Sequence, residues 1–187
     1  RAAIGLLQQA RASLRRARNR AATRADIAGL TALGRKTFTD KFGHIYAASD
    51  LNAYLDEAHS ETAYAHMVES PDYLVRVAEL PGGQLAAYLV CSPLELPAED
   101  AADGALELMR VYVDAPLQGR GLGTHFIEEA LDWAKISGAP EFYLSVFSEN
   151  DGARRLYERF GFEKVGEFDF PVGEHRDLEF LMRKLLD

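Results

Sequence analysis

Apolar residues recur along this chain with two different periods, and the switches between them mark the elements. In "ATRADIAGLTALGRKTF", Ile27, Leu30 and Leu33–Gly34 fall at helical spacing behind two capping candidates, Thr23 and Asp26. The spacing predicts a helix there, with a short strand near Arg20–Thr23 ahead of it. A second helical stretch is predicted in "SDLNAYLDEAHSETAYAHMVES", opening at Ser49 or Asp50 and stopped by Pro71. The runs "DYLVRVAEL" and "GQLAAYLVCSPL" are short, apolar and joined by Pro81-Gly82-Gly83, a hairpin signal. An acidic loop, "PLELPAEDAADG", leads into a further strand, "ALELMRVYV". The helical period returns from Thr124 to Ser137, where Ile127, Ala130, Leu131 and Ala134 share a face, and Gly138 and Pro140 close it. Then come a strand, "EFYLSVF", and a short helix over Asp151–Phe160 that Gly161 ends in left-handed backbone. Two last strands, "FEKVGEFDF" and "DLEFLMRKL", flank a turn between Pro171 and Asp177. This order predicts a layered α/β (α+β) domain: a mixed, mostly antiparallel sheet flanked by helices.

Composition narrows the class. A chain of 187 residues, 48% hydrophobic and 27% charged, suits one globular domain with a sizeable core. No run approaches the roughly 18 consecutive apolar residues of a membrane span, so no membrane partner is expected. The one cysteine, Cys91, excludes a disulfide within the chain and points to a reducing, cytoplasmic setting. Cys91 itself is either a small buried apolar residue or a nucleophile, and the first is the commoner use. The net charge of −8 is uneven: residues 1–20 hold six arginines and no acid, which leaves −14 on the remainder. So acidic a body excludes a broad nucleic-acid surface and favours a cationic substrate or partner. The Arg-rich start has the composition of a transit peptide and also suits an interaction arm. The expected division is an extension over 1–19 and a single domain over 20–187.

Candidate chemistry centres on "VYVDAPLQGRGLGTHFIEEAL". Its glycines alternate, so it fits neither the G-x-G-x-x-G dinucleotide fingerprint nor the P-loop, which needs Gly-Lys-Ser/Thr. A phosphate cradle explains more: glycines let successive N–H groups converge, and the following helix adds its free N–H groups and positive dipole end. Gln118, Gly119, Arg120, Gly121, Leu122 and Gly123 would then hold a pyrophosphate, with Arg120 either adding charge or facing solvent. Upstream, simple alternation puts Glu107 on one strand face with Met109, Val111 and Val113. A carboxylate among apolar neighbours is pushed toward neutrality, which suits a general base, although an edge glutamate or a partner of Arg110 is the blander reading. In "SENDGARRLYERFGF", Tyr157 lies on the inward side of its helix, as packing or as a general acid. The histidines, His44, His59, His66, His125 and His175, form no tight ligand cluster, and no metal is expected. His59 and His66 read as a solvated pair on one helix face, and His44 as a residue within reach of substrate.

Together these pieces resemble the GNAT acyltransferase superfamily over about residues 20–187. "RVYVDAPLQGRGLG" is similar to its Q/R-x-x-G-x-G/A motif, and "NDGARRLYERFGF" to its N-x-x-A-x-x-x-Y-x-x-x-G-F segment. The resemblance implies the GNAT-like acyl-CoA N-acyltransferase fold and acetyl transfer from acetyl-CoA, as cosubstrate, to an amine. It implies that the backbone of Val111, Tyr112 and Val113 carries the pantetheine arm and thioester. It further implies that Gln118–Gly123 hold the pyrophosphate and that Asn150 touches the cofactor. Tyr157 would be the general acid near the sulfur, and Glu107 the base. "FTDKFGHIYAASDLNAYL" and "GEHRDLEFLMRKL" are similar to bacterial polyamine acetyltransferases acting on spermidine or spermine. A small cationic amine is therefore the expected acceptor, with the enzyme a monomer or homodimer. A protein N-terminus or lysine as acceptor, and a CoA-binding sensor without turnover, remain as alternatives.

Overall fold

The hairpin predicted around Pro81-Gly82-Gly83 becomes the second and third strands of a seven-stranded sheet. In the computed structural model, which describes residues 17–187, strand β3 (Leu85–Pro93) is buried along almost its whole length. Its hairpin partner is β2 (Leu74–Glu79), and β1 (Arg18–Ala21) edges β2. The remaining strands are β4 (Leu106–Val113), β5 (Glu141–Phe147), β6 (Glu163–Val172) and β7 (His175–Leu185). Helices α1 (Ile27–Phe42), α2 (Ala48–Ala58) and α3 (Glu61–Glu69) precede the hairpin. Helix α4 (Leu122–Ile136) follows β4, and α5 (Asp151–Arg159) follows β5. The sheet order is β1-β2-β3-β4-β5-β7-β6, antiparallel except for β4 against β5. Most of the Arg-rich start, residues 1–16, lies outside the described residues, while Arg18 and Asn19 already belong to β1.

Each face of the sheet has its own core. Ala87, Leu89 and Cys91 of β3 join Leu108, Phe142 and Leu144 against Phe126, Ile127 and Ala130 of α4. On the other face Val75, Val77, Tyr88 and Val90 pack against Leu30, Leu33, Tyr64 and Met67 of α1 and α3. Cys91 is fully buried and burial pushes its thiol well up, so it is the apolar filler and not a nucleophile.

Two expectations need correction. The long helical stretch is two helices: Ser60 accepts the Ala63 N–H at 3.1 Å, and this N-cap restarts the helix. The break turns His59 inward, so His59 and His66 are no solvated pair. His59 is 1% exposed, its Nδ1 lies 2.9 Å from the Tyr64 hydroxyl, and that hydroxyl donates to Tyr88 at 3.0 Å. Burial, with repulsion from Arg110 and Arg35, lowers the His59 pKa to about 3. The other correction concerns β4. Its register against β3 runs Val90↔Arg110 and then Cys91↔Leu108, so Met109 is an extra, bulged residue. Alternation is broken there. Glu107 shares the α1–α3 face with Arg110 and Tyr112, while Leu108, Val111 and Val113 face α4.

Candidate active site

The parallel pair β4–β5 is matched at only two positions, Leu106↔Phe142 and Glu107↔Tyr143. Beyond them β4 runs on to Val113 along β3, and β5 runs on to Phe147 along β7, so the two separate. A cleft of about 1100 Å³ occupies the gap, at the upper end of typical ligand-pocket volumes and roomy enough for two reactants side by side. Asp114 donates its N–H to the Ala86 carbonyl at 2.9 Å. Antiparallel alternation then aims the N–H groups of Tyr112 and Asp114 at β3, and those of Val111 and Val113 away from it, into the gap. A strand edge with free N–H and C=O groups is what an extended ligand arm needs.

The glycine segment continues this wall. Gly119 and Gly121 have φ of +72° and +87°, left-handed backbone, and a Cβ at either would meet nothing within 4 Å. Glycine is needed there for conformation, and the space in front of it is open. Gly121 stands at the N-cap of α4 with no side chain capping the helix and no acid in the first turn. Free N–H groups, the dipole and an open approach suit this end to an anion. Gly123 is helical, and a Cβ added there would meet Val113 Cγ2 at 3.9 Å, an ordinary contact. Gln118 donates from Nε2 to the Val113 carbonyl at 3.1 Å, fixing the loop to the strand end. Lys36 of α1 bonds Asp114 at 2.6 Å and anchors the same corner.

The opposite wall is made of side chains. Phe38 and Phe42 of α1, Tyr46 of the following loop, Tyr54 of α2, and Phe168 and Phe170 of β6 line it. The same cleft is lined by Glu107, Tyr157, Asp177 and Glu179. Glu107 is 4% exposed, and its Oε2 accepts the Glu95 and Leu96 N–H groups at 2.7 and 3.0 Å. Burial outweighs those two bonds and raises its pKa to about 7. The Tyr157 ring packs edge-on against Phe162, and burial, with the nearby Glu179 charge, raises its pKa to about 12. Glu179 is pushed up mainly by burial and also by Asp177, against an opposing pull from the Ser145 hydroxyl. The Tyr46 hydroxyl donates to Asp177 Oδ2, and His175 Nε2 lies 3.0 Å from Oδ1.

Of the residues singled out in the sequence, Glu107, Val111, Tyr112, Val113, Gln118, Gly119, Gly121, Leu122, Gly123, Asn150 and Tyr157 all line this one cleft. Asn150 also caps α5, accepting the Ala153 N–H at 3.3 Å. Arg120 and His44 are not in the lining; His44 is exposed, and Arg120 Nη1 is buried without a partner. Asp177 and Glu179 were missed. Only a weak signal was present: in "DLEFLMRKL" the two carboxylates share strand period with Leu181 but also with Arg183, so the face reads as mixed and gives no cue of the kind that singled out Glu107. Among the described residues no group of His, Cys, Asp and Glu is placed to hold a metal ion. No helix there is long and apolar enough to cross a membrane.

A seven-stranded mixed sheet that splits between its fourth and fifth strands, with a glycine cradle opening the next helix, defines an acyl-CoA N-acyltransferase type of fold. A profile of the acetyltransferase (GNAT) family matches residues 39–162, and the chain belongs to that family. An uncharacterised N-acetyltransferase of Lactobacillus delbrueckii subsp. lactis is 27% identical over 164 residues, 86% of this chain and 92% of its own length. The spermine/spermidine N(1)-acetyltransferase of Bacillus subtilis is 40% identical over 73 residues, 38% of this chain and 48% of its own. Among solved structures, the PaiA N-acetyltransferase of Thermoplasma acidophilum in complex with coenzyme A superposes with a TM-score of 0.71 at 18% identity, covering 91% of this chain and 99% of that one.

Proposed function

We propose that the protein moves the acetyl group of acetyl-CoA onto a primary amine of a small cationic acceptor such as a polyamine, by direct attack within the cleft. The observation that carries this reading is the contrast within one cleft: a backbone segment at Gln118–Gly123 suited to an anion shares it with aromatic residues and the carboxylates Glu107, Asp177 and Glu179. The first suits a pyrophosphate, the second an ammonium. The partial likeness to a spermine/spermidine acetyltransferase supports the same acceptor class. The uneven charge, with −14 beyond residue 20, favours cation capture over distance. A cytoplasmic setting fits a chain whose one cysteine is buried and free.

The residues divide the chemistry among them. An ammonium has no lone pair, so the acceptor must lose a proton before it attacks. Glu107, with a pKa of about 7, is substantially ionised at neutral pH and takes that proton directly or through a water. The N–H of Val111 or Val113 then donates to the developing oxyanion. Tyr157 keeps its proton at neutral pH and gives it to the departing thiolate, whose own proton affinity rises in the same buried, acid-flanked site. Holding the amine and thioester in one cleft supplies much of the acceleration. Incubating the enzyme with acetyl-CoA and a panel of polyamines, monoamines and lysine or N-terminal peptides, and identifying products by mass, tests the reading. Acetylated polyamine supports it. Acetylated peptide alone would move the acceptor to a protein, and no product with any amine would leave a CoA-binding sensor.

A further inference from the structure

We propose that Glu179 binds the ammonium of the acceptor, holding its charge beside Tyr157 while the deeper carboxylate, Glu107, serves as base. The proposal rests on the cationic-amine reading above and assigns that charge a specific partner. Strand β7 pairs Glu179 with Phe147 and Leu181 with Ser145, so Glu179 stands on the same sheet face as Ser145 and Phe147, where β5 has left β4. Its carboxyl is therefore part of the cleft lining, on the aromatic side.

The three carboxylates there are not equivalent. Asp177 is already engaged on both oxygens, by Tyr46 and His175, and closes the loop after α1 onto the β6–β7 turn. Asp50 Oδ1 strengthens that closure by accepting the Glu174 N–H at 2.8 Å. Glu107 has its Oε2 filled by two backbone N–H groups. Glu179 has the Ser145 hydroxyl beside its carboxyl, but its Oε2 is buried with no hydrogen-bond partner, and Glu179 makes no salt bridge among the described residues. A buried carboxylate oxygen without a donor costs free energy until one arrives, and a cationic donor recovers most.

The surroundings select the kind of donor. The Glu179 charge reaches the hydroxyls of Tyr46, Tyr54, Tyr112 and Tyr157, which come from both walls. A carboxylate in a cleft that Phe38, Phe42, Phe168 and Phe170 also line suits an alkylammonium, whose charge and apolar stem it can meet together. Neither cation of the lining forms a salt bridge with it, although Arg110 Nη1 is also buried without a partner. Arg110 is held by the Ala58 carbonyl at 2.7 Å and stacks 5.3 Å from the Tyr64 ring centroid, and Lys41 is exposed.

The test is steady-state kinetics of the full chain, with spermidine and a simple alkylamine varied against saturating acetyl-CoA, for the parent and for Glu179→Gln and Glu179→Asp. Calorimetry with acetyl-CoA checks that each variant is folded. Glu179→Gln is expected to raise the amine KM by roughly 10- to 100-fold, the worth of a charged hydrogen bond. The acetyl-CoA KM and the shape of the pH–kcat profile should stay as they are. Glu179→Asp should recover part of the loss by restoring the charge. An amine KM unchanged in Glu179→Gln overturns the assignment, as does a parallel rise in both substrates' KM. If the parent turns over no amine, the cationic-acceptor reading falls and this proposal with it; if it does and only the variant result disagrees, Glu179 alone is wrong.

Discussion

On the proposed reading, the two walls of the cleft solve opposite problems by opposite means. The cofactor wall is backbone: free strand groups of Val111 and Val113, left-handed Gly119 and Gly121, and the bare end of α4. The acceptor wall is side chain: aromatic rings from α1, α2 and β6 and carboxylates from β4 and β7. A pyrophosphate is met by converging N–H groups, which any sequence supplies once the backbone can turn. An acceptor amine is met by particular side chains, which can change while the backbone stays. The cofactor wall is therefore the fixed half of the site and the acceptor wall the adjustable half.

Substitutions in the centre, then in each wall, should separate these halves. The largest effect is expected from Tyr157→Phe, which keeps the ring and removes the proton. A drop in kcat of about 100-fold or more is expected with acetyl-CoA affinity unchanged, and an unaltered rate would remove Tyr157 from the chemistry. Glu107→Gln comes next. The parent rate should climb as pH rises through about 7, where Glu107 ionises, and the glutamine variant should lose that limb along with much of its rate. Stability carries the same signature. Because the folded pKa is raised above the ordinary 4.5, the stability that Glu107 contributes is complete below that value and is lost as pH rises through about 7. Melting curves should accordingly show Glu107→Gln gaining on the parent between pH 5 and pH 8.

In the cofactor wall, Gly121→Ala forces a Cβ into left-handed backbone at a cost of about 1–2 kcal/mol. Acetyl-CoA binding should weaken by roughly tenfold with the amine KM little changed. Equal losses for both substrates would show that the walls are not separable. The smallest effect on ligand binding is expected behind the acceptor wall. A Cβ on Gly34 would sit 2.0 Å from the Tyr64 hydroxyl and 2.6 Å from His59 Nδ1. Gly34→Ala should lower thermal stability by about 1–3 kcal/mol, with acetyl-CoA affinity intact.

The same contrast explains what could be read in advance. The cofactor wall lies in one contiguous run, Val111 to Gly123, whose requirements are local: a strand, left-handed glycines, a helix start. Its residues stand out in the sequence, as does Tyr157 at fixed spacing from Asn150 and Gly161. The acceptor wall joins α1, α2, β6 and β7, far apart in the chain, so Tyr46 and Tyr54 carry no local pattern that marks a shared cleft and were touched only by the resemblance of "FTDKFGHIYAASDLNAYL" to polyamine acetyltransferases. Glu107 was found, but its face was misjudged, because a single inserted residue at Met109 defeats any argument from alternation. The split of α2 from α3 was hidden for a similar reason: Ser60 interrupts a helical period that continues on both sides.

The most direct test is the initial rate of CoA thiol release at saturating acetyl-CoA, with spermidine varied and a neutral alcohol of similar length as the control. A cleft that pairs a backbone pyrophosphate cradle with an ammonium chamber predicts a rate that saturates with spermidine and does not respond to the alcohol. A rate no higher with any cationic amine than with none would contradict it.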